Sequence, residues 1–300
     1  TLDHHTRPIN VSKLSADGLH LMSGGDDCKV CVWNLCDCGR NEPQWSAHIP
    51  DHSAVCSSTW ALFIGTSRDT AFLFLIIGCA DGLIHIYCQA DESNYAFMTK
   101  VSTHSDMVED LTFNPYHSHL ASIGGGQLIM WNITSKGALS QGVVVPPRDS
   151  TPQSVRFLEY GASIIVLFLQ SHEFASKTCL TLFCRFVYNV EPWAMNGNYI
   201  LPTRIGHAAV GCTQRTVLVS NLSTGVDVYN FLPMKPIKVL HHLICHNVSL
   251  LAVAALSDAI AIVGSDDGTV HVFDQRTGSL VTTLHHSPSK LGTFNSLSYS

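Results

Sequence analysis

From end to end the chain repeats one pattern. A short run of alternating or continuous apolar residues meets a turn cluster rich in Gly and Asp, and another such run follows. The clusters include Ala16-Asp17-Gly18, Gly24-Gly25-Asp26-Asp27, Asp81-Gly82, Gly124-Gly125-Gly126 and Asp266-Asp267-Gly268. No stretch sustains a helical period, so the pattern predicts an all-β chain of many short strands joined by tight turns. Two runs, Ala71–Ala80 (AFLFLIIGCA) and Ile164–Leu169 (IIVLFL), are apolar at nearly every position. They read as strands covered on both faces. Even the longer one falls far short of the ~20 residues that span a bilayer, so no membrane insertion is expected.

The strands are organised in a repeat. MSGGDDCKVCVWNL (Met22–Leu35), IIGCADGLIHIYCQ (Ile76–Gln89) and IVGSDDGTVHVFDQ (Ile262–Gln275) align as strand, acidic-glycine turn and second strand ending in an aromatic. ASIGGGQLIMWNI (Ala121–Ile133) is a copy that lacks the acidic residue and keeps the tryptophan. The aromatic ends fall at Trp33, Tyr87, Trp131, Phe183, Tyr229 and Phe273, about 48 residues apart on average. That period suits a four-stranded unit of ~40–45 residues with insertions. The stretch Lys177–Phe186 has no acidic turn before it, and Arg185–Cys212 fits the repeat poorly.

In the first repeat His5, Ser23, Asp27 and Trp33 stand in register around the turn Asp17-Gly18. This set resembles the WD-repeat family, which pairs a His before the first strand with a Ser or Thr, an Asp and a Trp on the following strands and turn. The second repeat keeps Asp81 with Tyr87 for Trp. The third keeps His104 and Trp131, and the sixth keeps Asp267 with Val263 for Ser and Phe273 for Trp. The resemblance implies a β-propeller of four-stranded antiparallel blades in a single domain over 1–300, with six recognisable repeats and the first strand of a seventh. It also implies that His5, Ser23, Asp27 and Trp33 form a structural network. Leu284–Ser300, with His286 and the alternation Phe294, Leu297, Tyr299, reads as the opening of that further repeat. A ring of six closed by these terminal strands is the alternative, and the missing initiator Met points to a processed or partial chain.

Composition narrows the function classes. Hydrophobic residues make up 46% and charged residues 13%, which is globular. A net charge of −6 and no clustering of Lys or Arg give no field for a phosphate backbone, so no nucleic-acid partner is expected. The amino end TLDHHTRPIN lacks the features of a signal peptide. Eleven cysteines, odd in number and set within apolar alternation as at Cys31 and Cys179, read as free buried thiols in a reducing, intracellular setting, cytoplasmic or nuclear.

Candidate chemistry is sparse. Cys28, Cys31, Cys36 and Cys38 imitate a zinc set, but a strand between the first and third of these holds them about 20 Å apart. The histidine pairs His4-His5, His241-His242 and His285-His286, and His117-x-His119, have no carboxylate at motif spacing. Ser122–Gly126 leads into a strand, so it offers no helix N-terminus to a phosphate. No cofactor or metal is expected. Phe273-Asp274-Gln275-Arg276 resembles the W-D-x-R box of propellers that serve as ubiquitin-ligase substrate receptors, with Phe for Trp. The family resemblance places partner binding on a rim made of Pro8, Asn10 and Asp26 in the first repeat, Ala80 in the second, Met107 and Glu109 in the third and Asp266 in the sixth. That mixed acidic and apolar rim suits a protein or peptide partner carrying basic and hydrophobic groups. The expectation is a non-catalytic interaction scaffold, part of a larger complex. An enzyme built around a central channel, a ubiquitin-ligase receptor and a reader of modified lysines are the alternatives, and no aromatic cage can be assembled for the last.

Overall fold

The computed structural model describes residues 4–36, 42–64, 71–147, 151–169, 183–201, 206–211, 213–230, 235–245 and 250–285. It is all-β apart from one 3-10 turn, Glu159–Gly161. The strands form six four-stranded antiparallel sheets, each a meander of consecutive strands. The first comprises β1 (Ile9–Leu14), β2 (His20–Gly25), β3 (Lys29–Asn34) and β4 (Trp45–His48). The second comprises β5 (Val55–Ile64), β6 (Ala71–Cys79), β7 (Leu83–Gln89) and β8 (Tyr95–Ser102), and the third β9 (Val108–Asn114), β10 (His119–Gly124), β11 (Gln127–Ile133) and β12 (Leu139–Val144). These three sheets, with Tyr160–Ala162, make one compact unit.

The second unit holds the other three. They are β13 (Thr151–Leu158), β14 (Ser163–Leu169), β15 (Phe183–Asn189) and β16 (Ala194–Leu201); β17 (His207–Val210), β18 (Thr216–Ser220), β19 (Gly225–Asn230) and β20 (Pro236–His241); and β21 (Ala252–Ala255), β22 (Ile260–Gly264), β23 (Thr269–Asp274) and β24 (Leu280–His285). The expected further strand at Leu284–Ser300 lies outside the described residues beyond His285, as do Cys38 and Cys179.

Within each unit the sheets stack face to face, which is how a small twisted sheet covers both of its apolar faces. Val30 and Val32 of the first sheet pack on Val55, Leu75 and Ile77 of the second. Ile84 and Ile86 of the second pack on Leu111, Leu120 and Trp131 of the third. In the second unit Ile165 and Leu167 meet Val217 and Val219, and Val226 and Val228 meet Ala252 and Val263. Phe74, Leu75, Ile76 and Ile77 of β6 are all buried, odd and even positions alike, because β6 is sandwiched between neighbours.

The ladders fix the repeat register. Trp33 lies opposite Leu21, Tyr87 opposite Leu75, Trp131 opposite Leu120, Tyr229 opposite Val217 and Phe273 opposite Ala261. In the fourth sheet the residue in this place is Tyr188, opposite Ile164, and not Phe183. Phe183 opens β15 and pairs with Leu201. The poorly fitting stretch from Arg185 onward thus supplies the third and fourth strands of a regular sheet.

Candidate partner-binding rim

The first sheet is tied at one end by four side chains, from the stretch before β1, from β2, from the turn after it and from β3. Trp33 Nε1 donates to Ser23 Oγ at 2.9 Å, and Ser23 Oγ lies 2.8 Å from His5 Nε2. His5 Nδ1 lies 3.0 Å from Asp27 Oδ1. For a neutral ring these contacts require the Ser23 hydroxyl to donate to Nε2 and Nδ1–H to donate to the carboxylate. The backbone N–H groups of Thr6 and Lys29 also donate to Asp27. Burial pushes the Asp27 carboxyl up, and the hydrogen bonds from His5 and Thr6 outweigh it and hold the group below the usual range.

The third sheet keeps three of the four members. His104 Nε2 is 2.9 Å from Ser122 Oγ, which accepts from Trp131 Nε1 at 3.0 Å. Here β10 and β11 are joined by the two-residue turn Gly125-Gly126, both at positive φ, one residue shorter than the first sheet's turn and so without the position that Asp27 holds there. In the sixth sheet Asp267 turns inward on its own turn and accepts from the N–H and hydroxyl of Thr269.

Beside this network, the first strands of the three sheets in the first unit share one irregularity. A bulge in β1 leaves Asn10 outside the ladder between Ile9 and Val11, a bulge in β5 does the same to Cys56, and a bulge in β9 to Glu109. Each of the three side chains is half-buried, between buried neighbours at one or both sides. A bulge re-aims one side chain without ending the strand. Asn10 Nδ2 uses this to donate to Asp26 Oδ1 at 2.7 Å and to the Val55 carbonyl of the next sheet at 3.1 Å. Pro8 is exposed, and its carbonyl accepts from Asp26 N–H. An added Cβ on Gly25 would stand 2.2 Å from that carbonyl, so Gly25 lets the turn close against Pro8.

Ala80, half-buried, bonds through its N–H to the Ala54 carbonyl. Met107 is 37% exposed and stands two residues before the bulge at Glu109. Burial, with Asp106 and Asp110 adding to it, raises the Glu109 carboxyl to about 7. Burial also lifts the Cys56 thiol to about 12, helped by Glu109, Asp26 and Asp81. Those three carboxylates act through space on Cys56, whose place in the bulge its spacing in the sequence does not reveal. In the second unit Asp266 accepts from Cys245 N–H at 2.7 Å.

Among the described residues no group of three or more His, Cys, Asp or Glu side chains could hold a metal ion. No described helix is long and apolar enough to cross a membrane. In the strand end Phe273–Arg276, Phe273 is buried, Asp274 accepts from Thr277 and Arg276 is exposed.

The family model described as "WD domain, G-beta repeat" matches residues 1–34 and 237–274. The chain is also similar to a component of chromatin assembly factor 1 from Gallus gallus, with 23% identity over 158 residues. That match covers 50% of this chain and 27% of the relative, so the chain spans only about a quarter of the relative's length. The matched repeats at either end, the aromatic held in register through all six four-stranded blades and the complete His-Ser-Asp-Trp set of the first blade place the chain in the WD-repeat β-propeller family.

Proposed function

We propose that residues 1–300 act as one non-catalytic interaction domain that holds a protein or peptide segment carrying basic and apolar groups. In the first unit the segment lies along Pro8, Asn10, Asp26, Ala80, Met107 and Glu109, with Cys56 near the acidic groups. Asp266 holds the corresponding place in the second unit. The observation that carries this reading is the bulge repeated in β1, β5 and β9, which bonds Asn10 to Asp26 and leaves Cys56 in the field of Glu109, Asp26 and Asp81. A cationic side chain would relieve the repulsion that Glu109 meets from Asp106 and Asp110, and the exposed Pro8 and Met107 offer apolar contact. The relative's name concerns chromatin assembly, which supports a basic partner, membership of a larger complex and a nuclear location.

Panning a displayed peptide library against the whole chain tests this. The expected result is enrichment of sequences with Lys or Arg beside apolar residues, whose binding falls at least about tenfold in a Glu109→Gln, Asp26→Asn double variant; tenfold corresponds to ~1.4 kcal/mol. Enrichment of acidic peptides, or of basic ones indifferent to both changes, would sink the assignment.

A further inference from the structure

His85 stands in the middle of β7, wholly buried, and neither ring nitrogen has a hydrogen-bond partner. Buried polar groups are nearly always bonded, so a ring with two orphaned nitrogens calls for an explanation. The same ladder place, two residues before the aromatic, holds the buried Cys31 in the first sheet and Ile129 in the third, so an apolar side chain suffices there.

What covers the ring comes from both sheets. Asp51, in the segment after β4, reaches across the joint to Lys100 of β8, whose Nζ donates to both carboxylate oxygens at 2.8 Å. The same Asp51 Oδ2 lies 3.8 Å from His85 Nε2, about 1 Å beyond a charge-assisted hydrogen bond. The Phe97 ring lies tilted beside that of His85, centroid to centroid 6.1 Å. The charged and titratable groups that face His85 are Asp51 of the first sheet, with His52 beside it, and Asp81 and Lys100 of the second.

The covering segment also reaches the rim. The His52 carbonyl accepts from Cys28 Sγ at 3.0 Å, in the turn that carries Asp26. Ser53 Oγ accepts from Asp81 N–H at 3.1 Å, in the equivalent turn of the second sheet. Three consecutive residues, Asp51-His52-Ser53, thus reach the His85 ring, Lys100 and both acidic turns.

We propose that His85, Asp51 and Lys100 form a proton-operated latch between the first and second sheets, with His85 the sensing group. With the ring neutral, Asp51 stays with Lys100 and the joint is shut. When His85 takes up a proton from solvent, Nε2–H becomes a cationic donor, and Asp51 exchanges Lys100 for it. The segment 51–53 moves with Asp51 and loosens its hold on the turns at Cys28 and Asp81. Burial favours the neutral ring and Lys100 adds to that, while Asp51 and Asp81 pull the other way, so the latch opens below the ordinary histidine range.

Amide hydrogen exchange of the full chain across pH, analysed as protection factors, tests the latch. Protection at 51–53 should fall about tenfold between pH 7.5 and 5. His85→Ile, which copies the third sheet, should abolish that fall. Asp51→Asn should also abolish that fall, because no carboxylate is left to exchange partners, and should move the midpoint of the His85 ring, read by NMR titration, to lower pH, because the attraction that assists protonation is gone. An unchanged pH response in the isoleucine variant, or an unmoved midpoint in the asparagine variant, overturns the proposal. Should the isoleucine variant not fold, the midpoint of Asp51→Asn decides alone. None of this depends on the identity of any bound partner.

Discussion

His104 and Ser122 reproduce at 2.9 Å the contact that His5 makes with Ser23 at 2.8 Å. The two networks then diverge. His5 Nδ1 meets Asp27, whereas His104 Nδ1 has no hydrogen-bond partner and the Gly124 backbone lies against its ring. Ser23→Ala would strand the Trp33 N–H and His5 Nε2 together, each at about 1–3 kcal/mol. Asp27→Ala would strand His5 Nδ1 and the N–H groups of Thr6 and Lys29. Urea unfolding midpoints should therefore fall in both variants.

The same divergence has a pH signature. Burial holds the His104 ring at about 4 against an ordinary 6.5. Between those values the unfolded chain takes up a proton that the folded chain refuses. Stability therefore falls as pH drops from about 6.5 to about 4, by up to ~1.4 kcal/mol per unit, and levels off below. A His104→Gln variant should show a shallower acid limb in the stability-versus-pH curve. An unchanged slope would mean that the ring is charged in the fold.

Glu109 has the opposite sign. Its carboxyl is raised to about 7 from 4.5, so the folded chain holds a proton that the unfolded chain has released. Its contribution to stability is full below about 4.5 and is lost as pH rises towards 7. A bound cationic side chain favours the ionised form, so binding of a basic peptide should release a proton near pH 7. Calorimetry in two buffers of different ionisation enthalpy reads that release directly, and Glu109→Gln should remove it.

Leu240 and Leu284 occupy equivalent places in consecutive sheets, opposite Val226 and Val270, yet Leu240 is fully buried and Leu284 is 55% exposed. Leu240→Ala should cost about 2–5 kcal/mol. Leu284→Ala should change stability by no more than about 0.5 kcal/mol, as surface changes do. Equal losses would show that Leu284 is covered in solution.

Gly78 makes a packing prediction. An added Cβ would stand 2.4 Å from Ser57 Oγ and 2.6 Å from Val108 Cγ1. Gly78→Ala should therefore destabilise the first unit by about 1–3 kcal/mol through overpacking, measurable as a lowered thermal midpoint.

Much of this architecture is legible in the chain because the aromatic, the tight turn and the strand period agree at each repeat. The exceptions have particular causes. Tyr188 is hidden because no acidic turn announces its strand, so the apolar residues around Phe183 look equally suitable until the ladder sets the register. Ser122 escapes because its turn is one residue shorter. It stands nine residues from its tryptophan, where Ser23 stands ten. Cys56 reads as one more small apolar residue, since a bulge leaves no mark on sequence spacing. His85 looks like any strand histidine, and its isolation comes wholly from what packs on it.

The three bulged residues stand out of register with the ladder, so exchanging any of them removes no cross-strand pairing. Cys56 and Glu109 can each take a new chemical identity while β5 and β9 keep their shape, and a change at Asn10 gives up only its side-chain bonds to Asp26 and Val55. If the proposed rim is the binding surface, frame and address label are thereby separable, and a descendant of this chain could change partners one position at a time without refashioning the sheets beneath.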